Sequence, residues 1–157
     1  MTNATRIAWF EGAVALALIL GALGFQYIGH FPPCEMCHWQ RWPHIAAAVV
    51  GLGGAILIGM GVVSPRLAWL VAALAILGVA TSGGLGVYHA GVEYKWWAGP
   101  TACTTGFVFD GHLDLNAPVP HCDIPAWTLF HISMAGYNAM ISLGAATLGA
   151  FFLVRGK

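Results

Sequence analysis

Four cysteines carry the chemistry open to this sequence. Cys34 and Cys37 form a Cys-x-x-Cys pair inside Pro32-Pro33-Cys34-Glu35-Met36-Cys37-His38-Trp39-Gln40-Arg41-Trp42-Pro43. Such a pair closes a small disulfide ring, and one of its thiols often has a depressed pKa. Arg41 adds a fixed positive charge close to Cys37. Pro43 suits the first turn of a following helix, because its missing N–H is not needed there. A helix starting at Pro43 puts the positive end of its dipole near Cys37. A helix starting earlier puts Cys37 and Arg41 on one face, a turn apart. Both settings favour a Cys37 thiolate, the reactive form of the residue.

Cys103 and Cys122 form a second, widely spaced pair. Three chemistries suit two such pairs. Structural staples suit Cys103 and Cys122, since a staple closes a loop. They suit Cys34 and Cys37 poorly, because two intervening residues make only a tiny loop. Zinc would draw on Cys34 and Cys37 with His30 or His38, and Cys103 and Cys122 would complete the site. One Cys-x-x-Cys beside an unspaced pair is a weak zinc pattern, and no bound metal is expected. Redox exchange is favoured, because thiolate attack links such pairs through mixed disulfides.

The elements that position these residues are apolar helices. The chain has 157 residues, of which 59% are hydrophobic and 8% charged. Charged residues avoid four windows, 12–29, 44–63, 67–88 and 126–154. Each window is near or above the ~20 residues that a helix needs to cross the hydrocarbon core. The windows lack the alternation of barrel strands, so the expected fold is all-α, a single four-helix transmembrane domain. Its helices are placed at roughly 7–29, 43–63, 67–89 and 126–154, with cysteine-bearing outer loops at 30–42 and 90–125. Net charge is zero and no basic cluster exists, which excludes nucleic acid as a partner.

Lys and Arg set the orientation. With the N-terminus inside, Arg6, Arg66, Arg155 and Lys157 are cytoplasmic, and only Arg41 and Lys95 lie outside. All four cysteines then lie outside as well. In a Gram-negative host that side is the periplasm, which tolerates disulfides. A dithiol at the membrane surface can hand electrons to a lipid-soluble acceptor, and a pair on a long loop can meet a water-soluble protein. The first apolar run, Ile7 to Ile28, imitates a signal peptide but is long for one, so a retained helix is expected. Glu11 near its inner end is expected to snorkel or to pair with Arg6. Small-residue stripes (Ala13, Ala17, Gly21; Ala47, Gly51, Ala55, Gly59; Gly78, Ser82, Gly86, Ala90) let helices approach closely in lipid. Trp9, Trp69, Trp39, Trp42, Trp96, Trp97 and Trp127 fit an aromatic belt at the interfaces. The loop residues Phe107, Val108, Phe109, Leu113, Leu115 and Val119 suggest a short amphipathic turn on the membrane surface.

The chain resembles the disulfide bond formation protein B (DsbB) family. The resemblance rests on Cys34-Glu-Met-Cys37-His-Trp-Gln-Arg41-Trp-Pro43, Tyr88-His89-Ala-Gly-Val-Glu93, Cys103, Cys122, and Trp127-Thr-Leu-Phe130-His-Ile-Ser133-Met134-Ala-Gly-Tyr137-Asn138. These elements cover the whole length in order. His131 stands where the family pattern has a small residue. The resemblance implies a thiol oxidase of the bacterial inner membrane with a DsbA-like periplasmic partner and a quinone acceptor, ubiquinone ahead of menaquinone. It implies that Cys103 receives the partner's thiolate and that the released Cys122 attacks Cys34. Cys37 is then left as a thiolate facing the quinone. Arg41 would stabilise that thiolate and the developing quinol anion, and His89 would hydrogen-bond the quinone or deliver a proton.

Two other readings compete. A vitamin K epoxide reductase-like enzyme also pairs a small helical bundle with a quinone. Its Cys-x-x-Cys is expected at the outer end of the last helix, whereas here the pair precedes the second. A metal-binding or structural membrane subunit without turnover is the remaining alternative.

Overall fold

The computed structural model describes residues 1–104 and 121–156. Four helices in it are long and apolar enough to cross a membrane: α1 (Asn3–Tyr27), α2 (Glu35–Gly59), α3 (Pro65–Glu93) and α4 (Met134–Arg155). The expected four-helix bundle is the observed architecture. The amphipathic turn anticipated around Phe107–Val119 lies outside the described residues.

Side chains cap all four helix starts, with the Ser64 hydroxyl accepting from the Arg66 N–H at the head of α3. Thr2 accepts from the Thr5 N–H at the head of α1, and Ser133 accepts from the Gly136 N–H at the head of α4. At the head of α2 the cap is Cys34, whose sulfur accepts from the Cys37 N–H at 3.2 Å. Each cap satisfies a backbone donor that the helix itself leaves unpaired. Pro32 and Pro33 hold the preceding chain extended, so α2 begins immediately after Cys34.

Two helix starts differ most from the sequence reading. The second helix starts at Glu35, not near Pro43, and runs through that proline. Pro43 has no N–H for the carbonyl one turn back, a defect that apolar bundles tolerate when neighbouring helices supply polar partners. In that turn Ser82 of α3 donates to the Gln40 carbonyl at 2.8 Å. The last helix starts at Met134 rather than near Ala126, because a short hairpin precedes it. Strands β1 (Thr128–Leu129) and β2 (Ile132–Ser133) pair antiparallel. Phe130 and His131 form the turn, both at positive φ (49° and 63°), as a two-residue primed turn requires. His131 is exposed at that tip. Tyr94 ties the hairpin to α3: its hydroxyl donates to the His131 carbonyl and accepts from the Ser133 N–H.

The bundle core is built from small residues. Ala8, Ala15, Ala47, Ala72, Ala75, Val79 and Ala145 are buried, and α3 packs against all three other helices. In lipid the hydrophobic effect gives helices no reason to associate, so close backbone approach and polar contacts must supply it. The anticipated stripes of α2 and α3 lie largely at such contacts, with Gly51, Ala55, Ser82 and Gly86 buried. The α1 stripe does not: Ala13, Ala17 and Gly21 are exposed, and the buried face of α1 carries Ala8, Glu11, Gly12 and Ala15. Glu11 is fully buried, and neither carboxyl oxygen has a partner among the described residues. The anticipated pairing with Arg6 is therefore not formed. The carboxyl sits against Gly149 of α4.

Gly51 lies where α1 and α2 come closest, within a π-helical turn of α2 (Val49–Gly53). A Cβ there would stand 2.7 Å from the Ala8 carbonyl and 3.0 Å from the Gly12 Cα. Backbone cannot yield to a side chain as a flexible side chain can. Gly51→Leu is expected to destabilise the bundle by roughly 1–3 kcal/mol, the usual cost of overpacking. Thermal unfolding in detergent checks this, and an unchanged Tm contradicts the close contact.

Candidate active site

All four cysteines meet at one end of the bundle. Cys103, in a helical turn at Thr101–Thr104, forms a disulfide with Cys122, with Cα atoms 5.4 Å apart. The Cys122 N–H donates to the Cys103 carbonyl, which ties the two backbones together. Asp123, next to Cys122, accepts from Lys95 at the end of α3. Lys95 holds the Asp123 carboxyl below the usual carboxylate range. This ion pair anchors the return of the loop beside the helix that carries His89.

The Cys34 sulfur lies within 4.8 Å of the sulfurs of both Cys103 and Cys122. Cys34, Met36, Val92, Cys103 and Cys122 form one buried cluster with Cys37 packed against it. Cys34 and Cys37 are free thiols with sulfurs 2.7 Å apart. Contact with Cys37 pushes the Cys34 thiol well above the usual range, and burial adds to the shift. The two thiols therefore titrate as a pair rather than separately. Cys37 stands in the first turn of α2, where unpaired N–H groups and the helix dipole favour negative charge. Cys34, Cys37 and His89 also place three ligand atoms within 4.8 Å of one another, the set a soft ion would use were both thiols deprotonated.

Cys37 and Arg41, a turn apart on α2, open onto a cavity of about 600 Å³. Most of its wall is apolar, with residues from α1, α4 and the chain before the hairpin; the Phe25 and Trp127 rings meet there tilted, with centroids 5.0 Å apart. Ala17 and Gly21 line it, so this part of the α1 stripe faces the cavity rather than a helix. The polar wall carries Arg41, His44, His89 and Asn138. Arg41 donates from Nη1 to Gln26 at 2.6 Å, while its Nε is buried without a partner among the described residues. An apolar cavity with a few convergent polar groups is the usual form of a small-molecule site.

His89 is 3% exposed and joins the dithiol to the bundle interior. Its Nε2 lies 3.6 Å from the Cys34 sulfur and 3.8 Å from a Glu93 oxygen. Its Nδ1 meets Gln40 Nε2 at 2.8 Å. Asn138 donates to Gln40 Oε1 at 2.7 Å, and His44 Nε2 meets Asn138 Oδ1 at 2.9 Å. Of the remaining histidines, His30, His38, His121 and His131 are exposed, and His112 lies outside the described residues.

The family model for Disulfide bond formation protein DsbB matches residues 4–152. The chain belongs to the DsbB family. Disulfide bond formation protein B of Vibrio vulnificus (strain CMCP6) is 29% identical over 157 residues, covering 94% of this chain and 83% of the relative. The protein of the same name from Aeromonas salmonicida (strain A449) is 31% identical over 163 residues, covering 96% and 88%. No solved structure matches the chain. This DsbB-family chain is thus a multi-pass membrane protein and an oxidoreductase of disulfide bond formation.

The structure brings together the six residues singled out in sequence: Cys34, Cys37, Cys103, Cys122, Arg41 and His89. Sequence reasoning missed Gln26, Gln40, His44, Ser82, Asn138 and Ser142 as parts of the site. A signal existed for all of them but Gln40, which lies just before the second window, because polar side chains inside apolar windows are functional candidates by default. Asn138 and Ser142 even share a face of α4, at i and i+4.

Asn138 is the junction of this DsbB-family network. Asn138→Leu leaves Gln40 Oε1 without its donor and takes from His44 Nε2 the nearer of its two partners, Asn138 Oδ1 at 2.9 Å against the Ser142 hydroxyl at 3.3 Å. The expected loss is about 1–2 kcal/mol, since interior polar groups are costly to strand even where lipid tempers the value. Thermal unfolding of the purified variant in detergent measures it, and parent-like stability contradicts the role of Asn138 as a junction.

Proposed function

We propose that the protein reoxidises a DsbA-like dithiol protein of thioredoxin fold and passes the electrons to a membrane quinone. The observation that supports this most is the Cys34 sulfur within 4.8 Å of the loop disulfide, while its neighbour Cys37 opens onto the apolar cavity. One relay then joins a pair that meets water-soluble thiols to a pair that meets the lipid phase.

The steps follow thiol–disulfide exchange. The partner's thiolate attacks Cys103; the Cys103–Cys122 bond breaks and its electron pair leaves on Cys122. With Cys34 and Cys37 oxidised, the Cys122 thiolate attacks Cys34, a Cys34–Cys122 bond forms, and Cys37 leaves as the thiolate. The partner's second thiolate attacks its mixed disulfide, frees Cys103 and leaves the partner oxidised. The cavity fits a quinone by its apolar wall and by the buried Arg41 Nε–H, which has no partner among the described residues and is a donor suited to a carbonyl oxygen. A bound quinone would accept two electrons and two protons. Arg41 holds negative charge at the cavity wall throughout, the effect of a preorganised cation. Ubiquinone is proposed ahead of menaquinone.

The proposed site is the bacterial inner membrane. Arg6, Arg66 and Arg155 at one end of the bundle are assigned to the cytoplasm by the positive-inside rule, and the cysteine end to the periplasm.

The cysteine pairs are expected to separate functionally. Each variant is mixed with a reduced thioredoxin-fold dithiol oxidase and either ubiquinone or menaquinone. Partner thiols and quinone absorbance are then followed. Cys37→Ser is expected to oxidise at most one equivalent of partner, through the loop disulfide, and to leave quinone unreduced. Cys103→Ser is expected to oxidise none. Parent-rate turnover by Cys103→Ser would reduce the loop pair to a staple and overturn the proposal.

A further inference from the structure

The polar chain behind Cys34 has a direction, and two backbone carbonyls decide it. Gln40 Nε2 stands 3.1 Å from the Met36 carbonyl, which can only accept, so that atom is the amide nitrogen. Asn138 Nδ2 stands 3.2 Å from the Ser82 carbonyl, which settles the second amide in the same way. The Ser82 hydroxyl spends its proton on the Gln40 carbonyl and so accepts from Asn138. With both amides oriented, Gln40 donates to His89 Nδ1. A neutral His89 must then carry its proton on Nε2, the atom that faces the Cys34 sulfur. The carboxylate nearest Nε2 agrees, since Glu93 at 3.8 Å is too far to donate to it. At the far end His44 Nε2 and the Ser142 hydroxyl both donate to Asn138 Oδ1.

We propose that Gln40 and Asn138 are positioning residues that lock His89 in its Nε2–H tautomer and aim that proton at the Cys34 sulfur. Every bond in the chain from His44 through Asn138 and Gln40 to His89 points the same way, and hydrogen bonds so aligned polarise one another. The Cys34 sulfur then receives two donors, the His89 Nε2–H and the Cys37 backbone N–H at 3.2 Å. The device serves the step in which Cys34 bears charge, which rests on the relay proposed above. In that step the Cys103 thiolate attacks Cys122 of the Cys34–Cys122 disulfide. The Cys103–Cys122 bond reforms, the Cys34–Cys122 bond breaks, and its electron pair leaves on Cys34. No external oxidant takes part. A leaving thiolate held by two donors departs faster.

The test needs neither partner nor quinone, so it stands or falls separately from the electron route. Protein labelled with 15N-histidine is examined by NMR in detergent, with the His89 signals assigned by their loss in His89→Phe. The proton is expected on Nε2 in the parent protein. In Gln40→Glu it is expected on Nδ1, because a carboxylate accepts where the amide donated. Alkylation of Cys34 is then followed against pH in protein whose other cysteines are serine. At neutral pH, Gln40→Glu and His89→Phe are expected to slow alkylation about tenfold, the size of one charge-assisted hydrogen bond. At alkaline pH, where the thiolate forms in every variant, the rates are expected to converge. A purely structural disturbance would not produce that convergence. Asn138→Leu, which removes the donor to Gln40 Oε1 and leaves that amide held only through its nitrogen, serves as the second variant if Gln40→Glu does not fold, and is expected to slow alkylation in the same pH-dependent way. An Nδ1-protonated His89 in the parent, or equal alkylation rates at neutral pH, overturns the proposal.

Discussion

The structure depends on a sulfur serving as a helix cap. Cys34 stands where Ser, Thr, Asp or Asn usually stands, accepting the Cys37 N–H at the head of α2. That bond places both thiols of the pair at the positive end of a helix dipole. It also sets Cys34 at the inner edge of the loop cluster, within 4.8 Å of both loop sulfurs. Cys37, three residues on, lines the cavity together with Cys34 but stands outside the group of sulfurs at the loop disulfide. A single helix start thus gives the two thiols different reach: both open onto the apolar chamber, and Cys34 also meets the disulfide.

The bundle below holds that start in place. Alanine and glycine let α1, α2, α3 and α4 approach until backbone meets backbone, as at Gly51 and at Gly86, whose Cβ would stand 3.0 Å from the Ala135 carbonyl. Close approach brings Gln40, Ser82, His44, Asn138 and Ser142 from three helices into one hydrogen-bonded chain. In hydrocarbon these groups have no water to turn to, so the chain must satisfy itself. Apart from His44 Nδ1, which has no partner among the described residues, the network is bonded throughout; its amides have little freedom to rotate, and that rigidity is transmitted to His89 and Cys34.

The four spans were legible because charge avoids them and their length matches the hydrocarbon core. The cysteine pairs, Arg41 and His89 were legible from residue type, spacing and resemblance. The start of α2 was not, because Pro43 reads as a first-turn residue in water, whereas here the helix continues through it with Ser82 at the adjacent carbonyl. The hairpin before α4 was hidden because Phe130 and His131 occupy turn positions normally signalled by Asn or Gly. Glu11 looked close enough to the interface to snorkel, yet helix packing closes over it. Gln40 and Asn138 were invisible as a pair because only the crossing of α2 and α4 makes them neighbours.

The contact between Cys34 and the loop is the central claim, and cross-linking measures it most directly. In protein carrying Cys37→Ser and Cys103→Ser, only Cys34 and Cys122 remain. Mild oxidation of this variant in membranes, followed by proteolysis and mass spectrometry, reads out their pairing. An intramolecular Cys34–Cys122 disulfide in most molecules is the predicted result. Two free thiols, or disulfides formed only between molecules, would contradict the geometry on which the relay rests.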